Sequence, residues 1–594
     1  MAASLPLWRR PPIPFSLFLC ALFGFAIFLE LARMDVVSDN EGQRAAPPAE
    51  MLRTGDYIVP TLNGERYLAK PPLLYWAIVP VYRLTGGPSE LGARIPGALC
   101  AIALVLCVYL FLRNVAGERH ARWAALMTGI APYVLERARW TQLDVPLTFA
   151  MFLAIIALHL GGGRFRPVVI GGVACGAAMM LKGPVVFPFL WAGWVASVMS
   201  SNDDRSRDVG IGVRLTCFAL VLDFVLRGIA GLIDVGGVLT FPWGLLLLIG
   251  AWSWLAWRAD RRGDRCAKHW FLAMVLGALC VAPWAVAVLR EVGWEFVRAL
   301  LDEQVLERTH TASKINSGST LYFFTGAPFM LAPWGLLLPA LLSAKRWKAN
   351  GAWYRFSVAF GGVSVAAFSL FAGKEYEYIL PAVPFLASAL AYVWLHEGDH
   401  GEWRFLNAWV RTCKAVLPGL FAVSVLLAAV YFSWANLHVT LLVEIWLVVV
   451  VAGLAWCGLR RSEGPARLAV AAIAVILIVL VARSFHYTGD QSPQAIVQRI
   501  AELQRAGYTV ETSKNYPAFA FYSDTPMNEL QDAALLAEKL QGDVPYFFLT
   551  RTEIEEAFLQ DIPEEYRQRI AGPVTSKNHI LIGNSPSLAA DLFE

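Results

Sequence analysis

The sequence predicts an α-helical polytopic membrane protein of about 13–15 transmembrane helices followed by a small C-terminal α/β domain. Three observations carry this. Of 594 residues, 57% are apolar and only 16% charged, where a soluble chain would carry about a quarter charged residues. Apolar runs of about 18–23 residues, long enough to cross a bilayer, recur from Phe15 to Arg483. From His486 onward the pattern changes to short alternating helical and strand-like segments. The expected division is therefore a membrane domain over 1–485 and an α/β domain over 486–594.

Taken in order, Arg9 and Arg10 precede the first apolar run and no small-residue cleavage site follows. An uncleaved first span, near Pro14 to Arg33, with a cytoplasmic N-terminus is expected. It delivers residues 34–90 to the outer side, and the second span, near Leu91 to Arg113, returns. Every second loop is then basic. The clusters are Arg113, Arg119 and Arg122; Arg164 and Arg166; Arg205, Arg207 and Arg214; Arg258 to Lys268; Lys345, Arg346 and Lys348; Arg404, Arg411 and Lys414; and Arg460, Arg461 and Arg467. Basic loops face the cytoplasm, so the outer loops are 34–90, 136–144, the turn Lys182–Gly183, 228–238, 291–318 and 373–378, and the tail lies outside in the periplasm. Within the first outer loop, Glu41 to Arg53 and Pro72 to Leu84 have mixed faces and are expected as interfacial helices. In the tail, Gln494 to Ala506 and Asn528 to Leu540 have helical spacing, while Tyr508–Glu511, Pro545–Leu549 and Ile580–Ile582 read as strands.

Composition also excludes. A net charge of +4 with scattered basic residues does not form the concentrated basic face that nucleic acid requires. The nine cysteines lie in or beside apolar segments, none follows Cys457 and there is no Cys-x-x-Cys pair, so they read as small core residues. The tail has no Gly-rich nucleotide loop. Glu30 with Arg33, and Asp223 with Arg227, share helix faces near bilayer depth and read as neutralised pairs.

The outer face is richer. It carries Asp35, Asp39, Glu41, Arg44, Arg66 and Lys70, then Glu136, Arg137, Arg139 and Asp144, then Lys182, Arg308, His310, Lys314 and Lys374. Lys and Arg suit a phosphate, as a point charge and a bidentate fork. A carboxylate beside them can take a proton from an attacking hydroxyl, and the cations can stabilise the departing phosphate. Nucleotides are absent outside the inner membrane, so an activated sugar there is carried on a lipid.

The stretches Asp39-Asn40-Glu41-Gly42-Gln43-Arg44, Glu50 to Pro60 and Asn63-Gly64-Glu65-Arg66-Tyr67-Leu68-Ala69-Lys70-Pro71-Pro72 resemble the first periplasmic loop of the GT-C superfamily of polyprenyl-phosphate-sugar glycosyltransferases. Within it they resemble the branch of the bacterial lipid A aminoarabinose transferase and the protein O-mannosyltransferases. Arg139 to Pro146, Leu181-Lys182-Gly183-Pro184, Gly373-Lys374 and Tyr378-Ile379-Leu380-Pro381 extend the resemblance along the membrane domain. It implies that Asp39, Glu41 or Asp144 acts as base or orients the acceptor. It implies that Arg44, Tyr67, Lys70, Arg139, Lys182, Arg308, Lys374 and Tyr378 contact substrate, Lys70 and Arg44 at the carrier phosphate. The partners implied are a polyprenyl-phosphate-linked sugar, a lipid or glycan acceptor and membrane lipids, with inversion at the anomeric carbon.

Three positions depart from the pattern. The usual adjacent Asp-Glu is here Asp39-Asn40-Glu41, Ala69 stands where the aminoarabinose transferase has an acidic residue, and His310 is shifted from the histidine expected near Glu303–Arg308. The ligand set for a divalent cation is thus incomplete, and a metal cofactor is left open. Two other classes compete. A lipid-linked sugar flippase predicts charges at the bilayer midplane, where only Asp223 and Arg227 stand, and an envelope scaffold would act through its tail.

Overall fold

The computed structural model describes residues 13–200, 267–295, 321–396, 408–413, 493–551 and 579–583, with short gaps, and scattered positions between 211 and 257. Arg308, Glu30, Arg33, Asp223, Arg227 and the spans expected beyond residue 413 lie outside them.

The membrane domain is helical. Among the described residues, four helical runs are long and apolar enough to cross a membrane: Glu90–Val115, Phe165–Ser200, Lys268–Val292 and Tyr376–Leu395. The chain is therefore a multi-pass membrane protein. We label the helices α1 (Ile13–Phe28), α2 (Asp39–Thr54), α3 (Leu73–Thr85), α4 (Glu90–Val115), α5 (Glu118–Gly129), α6 (Pro132–Ala138), α7 (Asp144–Leu160), α8 (Phe165–Lys182), α9 (Val186–Ser200), α10 (Ala267–Val292), α11 (Ala352–Ser369) and α12 (Val383–Leu395).

The run Phe165–Ser200 is a hairpin. Gly183 stands at φ +69°, a left-handed backbone that glycine adopts without a Cβ clash, and Pro184 follows. The two ends of α7 locate the two arms. Lys182, closing α8, bonds Asp144 at the start of α7, while Ser197 of α9 lies 2.9 Å from the His159 ring at the other end. Arg355 of α11 donates to the Ser200 carbonyl at that same end (3.3 Å). The turn Lys182–Gly183 therefore shares one end of the bundle with Asp144.

The first outer loop forms the helices expected of it, α2 and α3, separated by a two-residue hairpin, β1 (Thr61–Leu62) and β2 (Glu65–Arg66). Its turn is Asn63-Gly64, both at positive φ (57° and 79°), the pairing that hairpin twist favours. Helix α2 is more enclosed than a surface-lying helix, since Glu41, Gly42 and the run Arg44 to Met51 are all buried.

Its cover comes from the tail. There α13 (Pro493–Arg505), β3 (Thr509–Thr512), α14 (Pro517–Tyr522), β4 (Asn528–Glu529), β5 (Tyr546–Arg551) and β6 (His579–Gly583) build a sheet of order β4-β3-β5-β6. β3 runs parallel to β4 and β5, and β6 closes antiparallel on β5. Val497, Ile500 and Leu503 of α13 pack on Val510, Phe547 and Leu549. One expectation is corrected. Asn528, read as the start of a helix, begins a strand, with Asn528 and Glu529 paired to Glu511 and Thr512. Pairing on the sheet edge outweighs local helical spacing there.

Candidate active site

Ser38 caps α2, its hydroxyl accepting from the Glu41 amide (3.1 Å). The cap turns Glu41 inward on the first turn, where it meets Arg94 of α4. Arg94 donates from Nε to Glu41 Oε1 (2.8 Å) and from Nη2 to Oε2 (3.0 Å). Its remaining donors reach the Leu31 and Asp35 carbonyls (2.9 and 3.0 Å). Thr141 adds its backbone N–H and hydroxyl to Glu41 Oε1 (2.9 and 3.2 Å). Both charges are fully enclosed, 2% and 0% exposed. Glu41 thus stitches the first outer loop to the second.

Two prolines shape the next turn. Pro47 has no N–H for the Gln43 carbonyl one helical turn earlier, and Tyr75 of α3 donates to that oxygen instead (3.2 Å). Tyr82 adds a second side-chain bond to the helix, donating to the Ala45 carbonyl (3.1 Å). Burial pushes the Tyr75 hydroxyl well above its ordinary pKa, which keeps it a donor. Between them Arg44 is buried. Its Nη1 donates to Gln43 Oε1 (3.1 Å) and to the Tyr67 hydroxyl (3.3 Å), while its Nε has no hydrogen-bond partner among the described residues. A buried guanidinium N–H without an acceptor is costly and is a ready donor for an anion.

Tyr67 and Lys70 are presented by the hairpin, and Glu50 shapes that hairpin. The buried Glu50 carboxylate accepts from the Thr61 hydroxyl and from the Asn63 and Gly64 amides (2.6 and 3.2 Å). Lys70 lies half-buried in the bend before α3, and Asp39 is the half-buried first residue of α2.

The second group forms where α7, α8 and the 3-10 turn Tyr376–Ala382 meet. Asp144, 3% exposed, accepts the Lys182 ammonium on Oδ1. Among the described residues its contacts run through that oxygen alone. The same ammonium stands 5.0 Å from the centre of the Tyr378 ring, within cation–π range. Beside it Glu377 pairs loosely with Arg137 (3.7 Å). Lys374 is buried and donates to the Phe371 carbonyl (2.7 Å). Arg139 is buried against the end of α1, donating to the Ala26 and Ile27 carbonyls (2.9 and 3.3 Å), where a cation complements the helix dipole.

The structure therefore brings together Arg44 with Tyr67, and Asp144 with Lys182 and Tyr378, and it joins the two groups through Glu41 and Thr141. Arg94, Tyr75, Thr141, Glu50 and Glu377 are participants that sequence reasoning does not single out, while Arg137 is named only among the loop charges. Arg94 carries a signal, an ionisable residue inside an apolar span. Among the described residues no three His, Cys, Asp or Glu side chains converge as metal ligands, and the Glu41 oxygens are occupied by Arg94 and Thr141. Glu303 and His310 lie outside the described residues.

A bundle of membrane helices with buried acid–cation pairs at one end, under two short helices and an α/β cap, defines the class as a multi-pass membrane protein with a polar site at one end of its bundle. Comparison with known proteins agrees. Residues 69–222 match the family described as dolichyl-phosphate-mannose-protein mannosyltransferase. The undecaprenyl phosphate-alpha-4-amino-4-deoxy-L-arabinose arabinosyl transferase of Pseudomonas aeruginosa is 23% identical over 91% of this chain and 86% of its own. The second such enzyme of Pseudomonas fluorescens is 29% identical over 48% of this chain and 47% of its own. Across the curated relatives matched first, the chain spans between 32% and 66% of their length. Crystalline ArnT from Cupriavidus metallidurans, bound to undecaprenyl phosphate, has the same fold, with TM-score 0.64 and 18% identity over 97% of this chain and 99% of that one. The chain thus shares its fold with ArnT and is similar in sequence to aminoarabinose transferases along most of its length.

Proposed function

We propose that the protein is a glycosyltransferase that moves a sugar from undecaprenyl phosphate to a periplasmic acceptor, lipid A or another envelope glycan. The observation that carries this is the Glu41–Thr141 contact. It fastens a loop bearing a buried guanidinium with a spare N–H to a loop bearing a buried carboxylate with a spare oxygen. Arg44, with Tyr67 and Lys70, holds the carrier phosphate. Asp144 takes the proton from the acceptor hydroxyl on Oδ2, Lys182 and Tyr378 fix its orientation, and the acceptor oxygen attacks the anomeric carbon. The carbon–oxygen bond to the carrier breaks on the opposite face, so the configuration inverts, and the cations receive the phosphate charge. Glu41 in this reading positions rather than transfers a proton, because both its oxygens are engaged by Arg94 and Thr141. Arg139 likewise supports α1, and Lys374 holds the turn that carries Tyr378. Asp39 stays an acceptor-side group, and Arg308 a donor-phosphate ligand.

The same reading sets the protein in the bacterial inner membrane with its N-terminus cytoplasmic, residues 1–485 as the transferase domain and 486–594 as a periplasmic domain. Described cations such as Arg113, Arg119 and Arg122 stand at the end of the bundle away from Asp144, as the positive-inside rule requires.

A deletion strain tests the function. Mass spectrometry of its lipid A, other envelope glycolipids and glycoproteins is expected to show loss of one sugar, restored by the wild-type chain. Asp144→Asn and Lys70→Ala, at matched protein level, are expected not to restore it, and restoration by both overturns the assignment. The match of residues 69–222 to protein mannosyltransferases favours protein O-glycosylation as a second reading. It is the correct one if the missing sugar is found on peptides.

A further inference from the structure

We propose that the C-terminal domain is a clamp that holds the first outer loop in its carrier-binding shape, with Asn63 and Tyr522 as its positioning residues. This rests on the reading that Arg44 and Tyr67 hold the carrier phosphate.

The clamp grips the loop at four points. Ahead of α2, the Val36 amide donates to the Tyr522 hydroxyl (2.8 Å). On the first turn of α2, the backbone of α14 lies directly on Gly42. A Cβ at that position would stand 2.3 Å from Ala518 N and Pro517 C, so glycine alone permits the approach. At the far end, Arg53 donates to the Ser523 carbonyl (3.2 Å). At the hairpin tip, the Asn63 side-chain amide pairs reciprocally with the Met527 backbone, donating to its carbonyl (2.6 Å) and accepting from its N–H (2.7 Å).

The gripping parts are themselves anchored in the α/β domain. Met527 enters β4, and the Leu530 amide beyond it donates to Thr512 of β3 (2.8 Å). Tyr516, ahead of α14, shares a buried hydrogen bond with Ser513 at the end of β3 (3.0 Å). Arg44 and Tyr67 lie inside the gripped segment and meet across it, so the angle between α2 and the hairpin sets their separation. Asn63 serves two purposes at once. Its φ of 57° needs Asn, Asp or Gly, and of these only Asn can both donate to and accept from Met527.

That division makes the clamp testable in the full-length protein. Asn63→Gly keeps the turn and removes the pairing, while Tyr522→Phe keeps the ring and removes the acceptor for Val36. Undecaprenyl phosphate in detergent micelles is the probe, its binding followed by protein fluorescence. Each variant is expected to weaken binding about tenfold, the scale of one or two lost hydrogen bonds. The expected kinetic change is a raised donor KM with kcat at saturating donor within about twofold. Amide exchange in residues 61–67 should quicken in Asn63→Gly, and Asn63→Asp, which keeps one of the two bonds, should fall between. If the wild type binds the carrier and both variants bind it equally well with unchanged exchange, the clamp is wrong and the carrier reading stands. If the wild type does not bind the carrier, the carrier reading fails, and the exchange rates still decide whether the tail shapes the loop. Should Asn63→Gly not accumulate, Tyr522→Phe alone separates the same outcomes.

Discussion

Glu41 with Arg94 and Asp144 with Lys182 are both acid–cation pairs closed off from solvent at the outer ends of helices, and they are built on opposite plans. Arg94 uses its donors on both Glu41 oxygens and on two backbone carbonyls, and Thr141 supplies two more donors to the same carboxylate. Among the described residues both Glu41 oxygens are thus engaged, Oε1 by three donors and Oε2 by one. Lys182 holds Asp144 by one oxygen and rests on an aromatic ring, which leaves the carboxylate a free lone pair. Burial alone therefore does not distinguish a reacting group from a strut; the count of satisfied donors and acceptors does. In the first pair, removing one partner leaves the other charged and unpaired in the interior. In the second, Asp144→Asn keeps the shape and an acceptor for Lys182 and, on the proposed reading, removes the base.

Substitutions can break or sharpen this contrast. The largest effect is expected from Asp144→Asn, a fall in transfer rate of about 10²- to 10⁴-fold with protein level and thermal midpoint unchanged. An equal loss in a well-folded Glu41→Gln would erase the distinction. Next comes Arg94→Ala, expected to cost about 3–5 kcal/mol and to be seen as protein lost from the membrane or a lowered unfolding midpoint in detergent. A stable Arg94→Ala protein would show that Glu41 has other support. Arg44→Lys should weaken carrier binding about tenfold at near-normal stability, because a point charge replaces a planar fork. The smallest effect belongs to the other end of the bundle. Glu118 bonds Arg122 at 2.9 Å in a half-exposed pair, and Glu118→Gln should change stability by less than about 1 kcal/mol and leave transfer untouched.

Much of this is legible along the chain. The helices of the first outer loop, the strands Thr509–Thr512, Tyr546–Arg551 and His579–Gly583, and the turn at Lys182–Gly183 follow from periodicity and from glycine and proline placement. That Asp144 and Lys182 share one end of the bundle is legible too, because basic loops alternate. Their pairing is not. Asp144 meets Lys182 across 38 positions, and Glu41 meets Arg94 across 53, and no local rule specifies such partners. Arg94 is easily passed over because it stands near the start of a long apolar span, where a charge looks like a flank. The strand at Asn528 escapes because a two-residue edge pairing has no periodicity of its own. The role of Tyr75 can be anticipated, since Pro47 and Pro48 in a helix demand outside donors.

The bond between Val36 and Tyr522 joins residues 486 positions apart, and that separation has a consequence for biogenesis. The loop that holds Val36 is synthesised early, and Tyr522 follows 486 residues later. At ribosomal speeds of about 5–20 residues per second, Val36 waits roughly 25–100 s for its partner. During that interval the loop is exposed to chaperones and proteases with its shape unfinished. A chain released early would sit in the membrane with every upstream residue of the site in place and the loop still open. Closing the loop therefore requires synthesis to have passed Tyr522.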